Sequence, residues 1–380
     1  MDSATKVPNV KPKEGGLTSE SIALERYANR SFPSVFAAWR TSEGPNVNVS
    51  NLAKYDLVFT SPYQLKLRWN KGSEGISDSL TLESATNAMA MRKELQKQNP
   101  NVTILAELRF FDAKSDFFGS EGKGSWLNVE GHKVESYVGK GYFQIDLTDE
   151  KFQEAVVMRA KALMGSGAID GIMLDNWLRA KSVAANLLKR IREEVGDEAL
   201  IIVNSSSSKI PESQASLING LFIECNRSKT TEDWEKIEDT LKWASSAKSM
   251  LREPKIICLE TWGGEGDIEK LKATTALASI YGACCLFSQV GWDHEHKWQG
   301  DLWGNKLGKP TKDPKERSDG SVEREFENGI AVYNPVRNKT VNVLFTRKML
   351  SSPDPKLANE FILKPGEGGI YLKPTIGDII

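Results

Sequence analysis

From about Pro33 onward the chain alternates short apolar runs with longer stretches of helical periodicity. The apolar runs are SVFAAW (34–39), YDLVFT (55–60), VTILAELRF (102–110), GIMLDNW (171–177), ALIIVN (199–204), GLFIEC (220–225), KIICLE (255–260) and ACCLF (283–287). Each is rich in Val, Ile, Leu or Phe and is bounded by Gly, Pro, Asn or Asp, which predicts strands. Their near-continuous apolarity is the mark of a parallel sheet covered on both faces. Between them lie LESATNAMAMRKELQKQ, EKFQEAVVMRAKALMGSG, RAKSVAANLLKRIREEVGD, TTEDWEKIEDTLKWASSAKSML and DIEKLKATTALASIYG, all predicted helices. Gly165 and Gly167 stop the second, and Thr231 and Asp267 are N-cap candidates for the last two. The helical signal after the first strand is weak, and PESQASLI, after the fifth, is short.

Eight strands with intervening helices over about 255 residues predict an α/β fold, a (β/α)8 TIM barrel. An open doubly wound sheet is the alternative. It would usually bring a glycine-rich phosphate loop after its first strand, and AAWRTSEGPN holds none. Residues 112–149 are too long for a simple loop and follow strand three on the side where barrel chemistry sits, which marks them as functional. After Ser288 the pattern turns polar. GIAVYNP, TVNVLF, EFILKP and GGIYLKP then predict a C-terminal antiparallel β module packed on the barrel. The predicted division is a flexible polar tail (1–32), the TIM barrel (33–320) and the β module (321–380).

Composition narrows the function classes. Fifty Lys+Arg against 51 Asp+Glu leave a net charge of −1, without the basic excess of a nucleic-acid binder. No window approaches the roughly 18 apolar residues of a membrane span. The four cysteines lie in apolar runs without CxxC spacing and read as small buried hydrophobes. The opening MDSATKVPNVKPKEGG has no apolar core, so no signal peptide is expected in the chain as written.

In a TIM barrel the chemistry sits at the C-terminal ends of the strands. The polar residues there are Trp39 and Arg40, Glu107 and Arg109, Asp175 and Asn176 with Trp177, Asn204, Glu224 and Asn226, and Glu260 with Trp262. GWDHEHKW follows strand eight and carries Trp292, Asp293, His294, His296 and Trp298. A carboxylate ending an apolar strand costs several kcal/mol to bury unpaired, so folding alone does not select it. Helix capping or pairing with Arg109 would explain one such residue better than Asp175, Glu224 and Glu260 together. Two facing carboxylates are the minimal equipment for glycoside hydrolysis. Tryptophan is abundant, at ten residues, and flat indoles stack on pyranose rings. Trp39, Trp177, Trp262 and Trp298 are therefore expected to touch substrate, with Asp293, His294 and His296 as hydrogen-bonding partners. With only three histidines, no zinc site is expected, and no cofactor is implied.

At ILAELRF, GIMLDNW, LLKRIREEVGDEALIIVN, NGLFIECNRS, DHEHKW and REFENGIAVYNP the chain resembles the hypothetical glycosyl-hydrolase-like family fifteen, a group of predicted barrel enzymes. The similarity runs in order from about residue 34 to 372. More distantly it is similar to barrel glycosidases of the α-galactosidase and endo-α-1,4-polygalactosaminidase kind. The resemblance implies a glycoside hydrolase acting on an oligo- or polysaccharide. It also implies carboxylates at the ends of strands four and six, here Asp175 as nucleophile or base and Glu224 as general acid/base. Glu260, Glu107, Arg109 and Asn204 would support them. It implies export, to a secreted or periplasmic location with the signal peptide absent from this chain, or else a cytoplasmic enzyme. The alternatives are a carbohydrate-binding barrel without turnover, and a polysaccharide lyase with Tyr63 or His294 as base.

Overall fold

The computed structural model describes residues 25–39, 48–70, 75, 77–119, 124–206, 208–225, 231–264, 266–289, 294–304 and 306–375. Arg40, Asn226, Trp292, Asp293 and residues 1–24 of the expected tail lie outside the described residues.

All eight apolar runs form parallel strands of one closed barrel in chain order. They are β1 (Ser34–Ala38), β2 (Leu57–Thr60), β3 (Thr103–Leu108), β4 (Gly171–Leu174), β5 (Leu200–Asn204), β6 (Gly220–Glu224), β7 (Ile256–Gly263) and β8 (Cys284–Gln289). The long helices are α1 (Leu82–Gln98), α2 (Glu150–Gly165), α3 (Ala184–Val195), α4 (Thr231–Ala247) and α5 (Ile268–Tyr281). Thr81 caps α1 and Asp267 caps α5, each through a side-chain oxygen that accepts a backbone N–H. The weak helical signals correspond to single turns, Val49–Leu52 after β1 and Glu212–Ala215 after β5. Among the described residues no helix is long and apolar enough to cross a membrane.

Side-chain alternation splits the apolar residues into two cores. One set, with Val35, Val58, Ile104, Ile172, Ile201, Leu221, Ile257 and Cys285, packs outward under the helices. The other fills the cylinder with Phe36, Phe59, Leu105, Met173, Ile202, Phe222, Cys258 and Leu286. The rings of Phe36, Phe59 and Phe222 meet at 5.1–5.8 Å, and Trp39 closes over Phe59 at 5.2 Å and Phe222 at 5.8 Å. The cylinder is thus plugged by aromatic carbon directly below its C-terminal rim.

Residues 25–32, expected to be part of a flexible tail, are packed instead. Tyr27 is buried in the inner core beside Cys284, Arg26 binds Asp170, and Phe32 pairs with Gly308. After β8 the chain forms no long helix. Residues 296–304 run along the outer wall, where Trp303 donates its indole N–H to Thr275 of α5 at 3.1 Å.

The C-terminal part is a six-stranded antiparallel sheet of β9 (Lys315–Glu316), β10 (Val322–Phe326), β11 (Gly329–Tyr333), β12 (Val341–Ser352), β13 (Leu357–Leu363) and β14 (Gly368–Leu372). It packs on α5. The Tyr333 hydroxyl and the Val336 N–H both donate to Glu238 of α4, at 2.7 and 2.8 Å, which fastens the sheet to the barrel.

The strands that carry the rim carboxylates of interest, β4 and β6, both begin with glycine. A Cβ at Gly171 would land on the carbonyl oxygen of Leu200, and one at Gly220 on that of Ile256. Gly220→Ala should therefore cost about 1–3 kcal/mol of stability through overpacking, read by denaturant unfolding. A neutral result would mean that the strands separate freely at this point.

Candidate active site

Near its C-terminal end each strand from β3 to β8 has a polar inward-facing position, followed on β7 by one more inward-facing residue, Trp262. In order the polar positions are Glu107, Asp175 just past β4, Asn204, Glu224, Glu260 and Ser288. The same alternation that buries Met173 and Phe222 therefore delivers Asp175 and Glu224 to one rim.

Asn204 joins them. Its side-chain amide donates to Asp175 Oδ1 and to Glu224 Oε2, both at 3.0 Å. Two bonds from one nitrogen hold these two oxygens at most about 6 Å apart, close enough for the carboxyl groups to work as a pair. Asp175 Oδ2 accepts a second amide N–H, from Asn176 at 2.6 Å. Asp175 is buried and Glu224 is half-exposed at the mouth.

Behind Glu224 lies a second arrangement. Glu260 is fully buried and accepts from Ser288 Oγ at 2.5 Å and from His294 Nδ1 at 2.9 Å. This bond turns His294 Nε2 toward Glu224 Oε1, 3.9 Å away. Burial pushes the Glu260 carboxyl up, against the hydrogen bonds from His294 and Ser288. The His294 ring lies 4.4 Å from that of Trp39 and 5.7 Å from that of Trp262.

On the other side, Glu107 is buried beside Asp175. Burial, then the charge of Asp175, pushes its carboxyl up to about 7, against a hydrogen bond from Trp39 and the charges of Arg109 and His294. Arg109 is tied to Asp112, its Nε donating to Oδ1 at 2.6 Å. The insertion expected to be functional folds into two small hairpin-like sheets pairing Asp112–Lys114 with Tyr142–Gln144 and Asn128–Val129 with His132–Lys133. It presents Tyr137, whose hydroxyl donates to Asn176 Oδ1 at 2.9 Å. Burial and the nearby charge of Asp175 push this phenol up.

Three expected substrate contacts are corrected. Trp177 is buried in the outer core, its ring 5.6 Å from Phe110 and its indole N–H bonded to Gln214 at 2.8 Å. His296 is also buried. Its Nδ1 bonds the His294 carbonyl at 3.0 Å, its ring meets Tyr55, and burial pushes its imidazole down to about 4. Trp298 packs between Tyr55 and Trp303 on the outer wall. All three sit where the chain has already left the rim. Trp262 is buried as well and meets the site through the His294 ring.

Tyr137 and Ser288 are site residues that sequence reasoning passed over. Ser288 was within reach, since Cys284, Leu286 and Ser288 share one parity on β8. Tyr137 gave no signal within its irregular insertion. Among the described residues no group of His, Cys, Asp and Glu is placed to hold a metal ion.

A closed (β/α)8 barrel with four acidic side chains on its C-terminal rim defines a TIM-barrel protein with an acidic rim site. The chain belongs to the hypothetical glycosyl hydrolase family 15, whose sequence model matches residues 96–330, more than half of it. Among solved structures, the fold is similar to a noncanonic maltogenic α-amylase, AmyB, from Thermotoga neapolitana. The TM-score is 0.55 at 10% identity, covering 90% of this chain and 99% of that one. It is also similar to an α-amylase from Malbranchea cinnamomea (TM-score 0.52, 9% identity, 92% and 97% covered). A debranching enzyme from Nostoc punctiforme is a third (TM-score 0.52, 12% identity, 91% and 99% covered). At such identities these likenesses concern the fold. Comparison with curated proteins finds no match.

The Glu107 environment makes stability depend on pH. An unfolded glutamate titrates near about 4.3. The raised folded value means that the bound proton stabilises the fold fully below that pH, and that this contribution is lost as pH rises through about 7. Glu107→Gln removes the titration. The stability of the variant relative to the native chain should rise between pH 5 and pH 8 by on the order of 3 kcal/mol, followed by thermal unfolding. A difference independent of pH would show that Glu107 does not hold a proton there.

Proposed function

We propose that the protein is a retaining glycoside hydrolase acting on an oligo- or polysaccharide, with Asp175 as nucleophile and Glu224 as general acid/base. The observation that carries this reading is the Asn204 amide shared by the two carboxylates. The approach of the two facing oxygens to at most about 6 Å supports the roughly 5–5.5 Å carboxyl separation of retaining enzymes, since it leaves little room for the intervening water that a 6.5–9.5 Å separation holds.

The roles follow from exposure. Asp175 sits on the aromatic floor, with both oxygens held by amides, aimed at a sugar carbon above it. Glu224 stands at the open mouth, where a leaving group departs and water enters. Asp175 attacks the anomeric carbon while protonated Glu224 gives its proton to the glycosidic oxygen, and that bond breaks. A covalent sugar–Asp175 ester remains. Glu224, now ionised, takes a proton from water, whose oxygen attacks the same carbon and releases Asp175. Glu260 fixes the His294 ring beside Glu224, so that the pair orients the acid and presents a polar edge to the sugar. Trp39 offers the half-exposed indole next to this machinery.

The test is a pair of substitutions. Asp175→Asn should abolish turnover of every substrate, because an amide neither attacks nor accepts the proton. Glu224→Gln should slow natural glycosides by about 100-fold or more, and activated aryl glycosides least, since a good leaving group departs unprotonated. Release of new reducing ends measures the first, and a chromogenic aryl glycoside the second. An Asp175→Asn variant with near-native rates would overturn the assignment. So would loss of activity that circular dichroism traces to misfolding in both variants.

A further inference from the structure

A cleft of about 880 Å³ opens at Glu107, between the loop after β2 and the insertion after β3. Glu107 and Arg109 form its inner end, so it continues from the acidic rim. Its charge is of the opposite sign to that of the rim. Arg68, Arg109, Lys114 and Arg159 line it against Glu107, Asp112 and Asp116. Two of those acids are already spoken for. Asp112 accepts from Arg109 Nε and from the Ser136 hydroxyl, and the Glu107 carboxyl is pushed up to about 7. With Arg109 and Asp112 paired, Arg68, Lys114 and Arg159 still outnumber the remaining acids of the lining, Glu107 and Asp116.

Arg109 is the focus. Its Nε bond to Asp112 locks the guanidinium plane. About a third of the side chain, 35%, stays open, yet Nη2 is buried and has no acceptor among the described residues. A buried cationic N–H without a partner is costly and calls for an explanation. A planar fork held on one edge by a carboxylate is ready to receive another acceptor on its remaining nitrogens. Lys114, exposed on the wall of the same cleft, makes no ion pair among the described residues.

We propose that this cleft binds the carboxylate of an acidic sugar residue, a uronic acid, seated on Arg109 and adjoining the sugar that is cleaved. Resting on the glycosidase reading, it narrows the substrate to an acidic glycan. The polarity of the site orients that glycan. A carboxylate near Asp175, Glu224 and Glu260 is repelled, whereas one in the cleft meets Arg109 and Lys114, so only one register along the rim is favourable. A neutral hydroxyl would satisfy Nη2 but would leave the excess charge unanswered.

The test uses binding, so that it stands apart from turnover. Calorimetric titration of the full-length Asp175→Asn variant compares short oligosaccharides of galacturonate, glucuronate and alginate with their carboxyl-reduced, neutral counterparts. At least one acidic set should bind about tenfold or more tightly than its reduced twin. The preference should shrink toward unity in about 0.5 M salt and in Arg109→Gln, and survive in part in Arg109→Lys. The comparison of acidic with reduced ligands needs no substitution at Arg109, so misfolding of those variants cannot mask the result. If no acidic set outbinds its reduced twin, or if the preference persists in full in a folded Arg109→Gln, the proposal is wrong. Hydrolysis by the native chain reads the other claim. Neutral glycans cleaved without acidic preference would sink this inference alone. Acidic preference without new reducing ends from any glycan would sink the glycosidase reading and leave the anion site standing.

Discussion

Closing eight parallel strands into a cylinder forces every second side chain inward, and there is room inside only for close-packed carbon. Phe36, Phe59 and Phe222 meet that demand, with Trp39 laid over them. Polar groups are tolerated only one layer higher, where the cylinder opens. The ring of Glu107, Asp175, Asn204, Glu224, Glu260 and Ser288 follows from this alternation. The plug beneath it also sets the electrostatics. Carboxyl groups resting on aromatic carbon lose hydration, which raises Glu107 and Glu260 and makes each fixed donor count. Asn204, Asn176, Ser288 and His294 supply those donors.

The backbone around the ring is held under strain. Trp39, Asn176, Ser206 and His294 have φ of 51, 54, 49 and 56°, in the left-handed region that non-glycine residues rarely occupy. Each follows a barrel strand, and all four touch the network described above, Ser206 through its N–H to Asn204 Oδ1 at 2.9 Å. Such turns reverse the chain at once, so that a side chain folds back over the barrel mouth. Strain of this kind persists only where surrounding contacts over-determine it, and it gathers at functional sites. His294 shows the gain: its turn lets one ring reach Glu260, Glu224, Trp39 and Trp262 together.

What the sequence disclosed divides along the same line. The strands were legible because both of their faces are buried, which leaves unbroken apolar runs such as GLFIE and IICLE. The carboxylates were legible because they interrupt those runs. Strand parity stops being a guide one residue after the strand stops. Trp177 has the parity of Asp175, yet the turn at Asn176 sends it into the outer core. The segment holding His296 and Trp298 carries no period from which its descent along the outer wall could be read. Tyr137 comes from an insertion with no repeat, and the packed residues 25–32 are too few to register as an element. Fold and inner ring thus came from periodicity, while the outer parts of the site depend on turns that periodicity does not encode.

The claim on which the rest stands is that Asp175 is the nucleophile of a retaining mechanism. A covalent trap tests it most directly. The native protein is incubated with 2-deoxy-2-fluoro glycosyl fluorides of the sugar that it cleaves, digested, and mapped by mass spectrometry. One sugar per chain is expected, bonded to the peptide that carries Asp175, with no labelling in Asp175→Asn. A label on Glu224, Glu260 or Glu107, or turnover that proceeds with inversion and leaves no label, would contradict the claim.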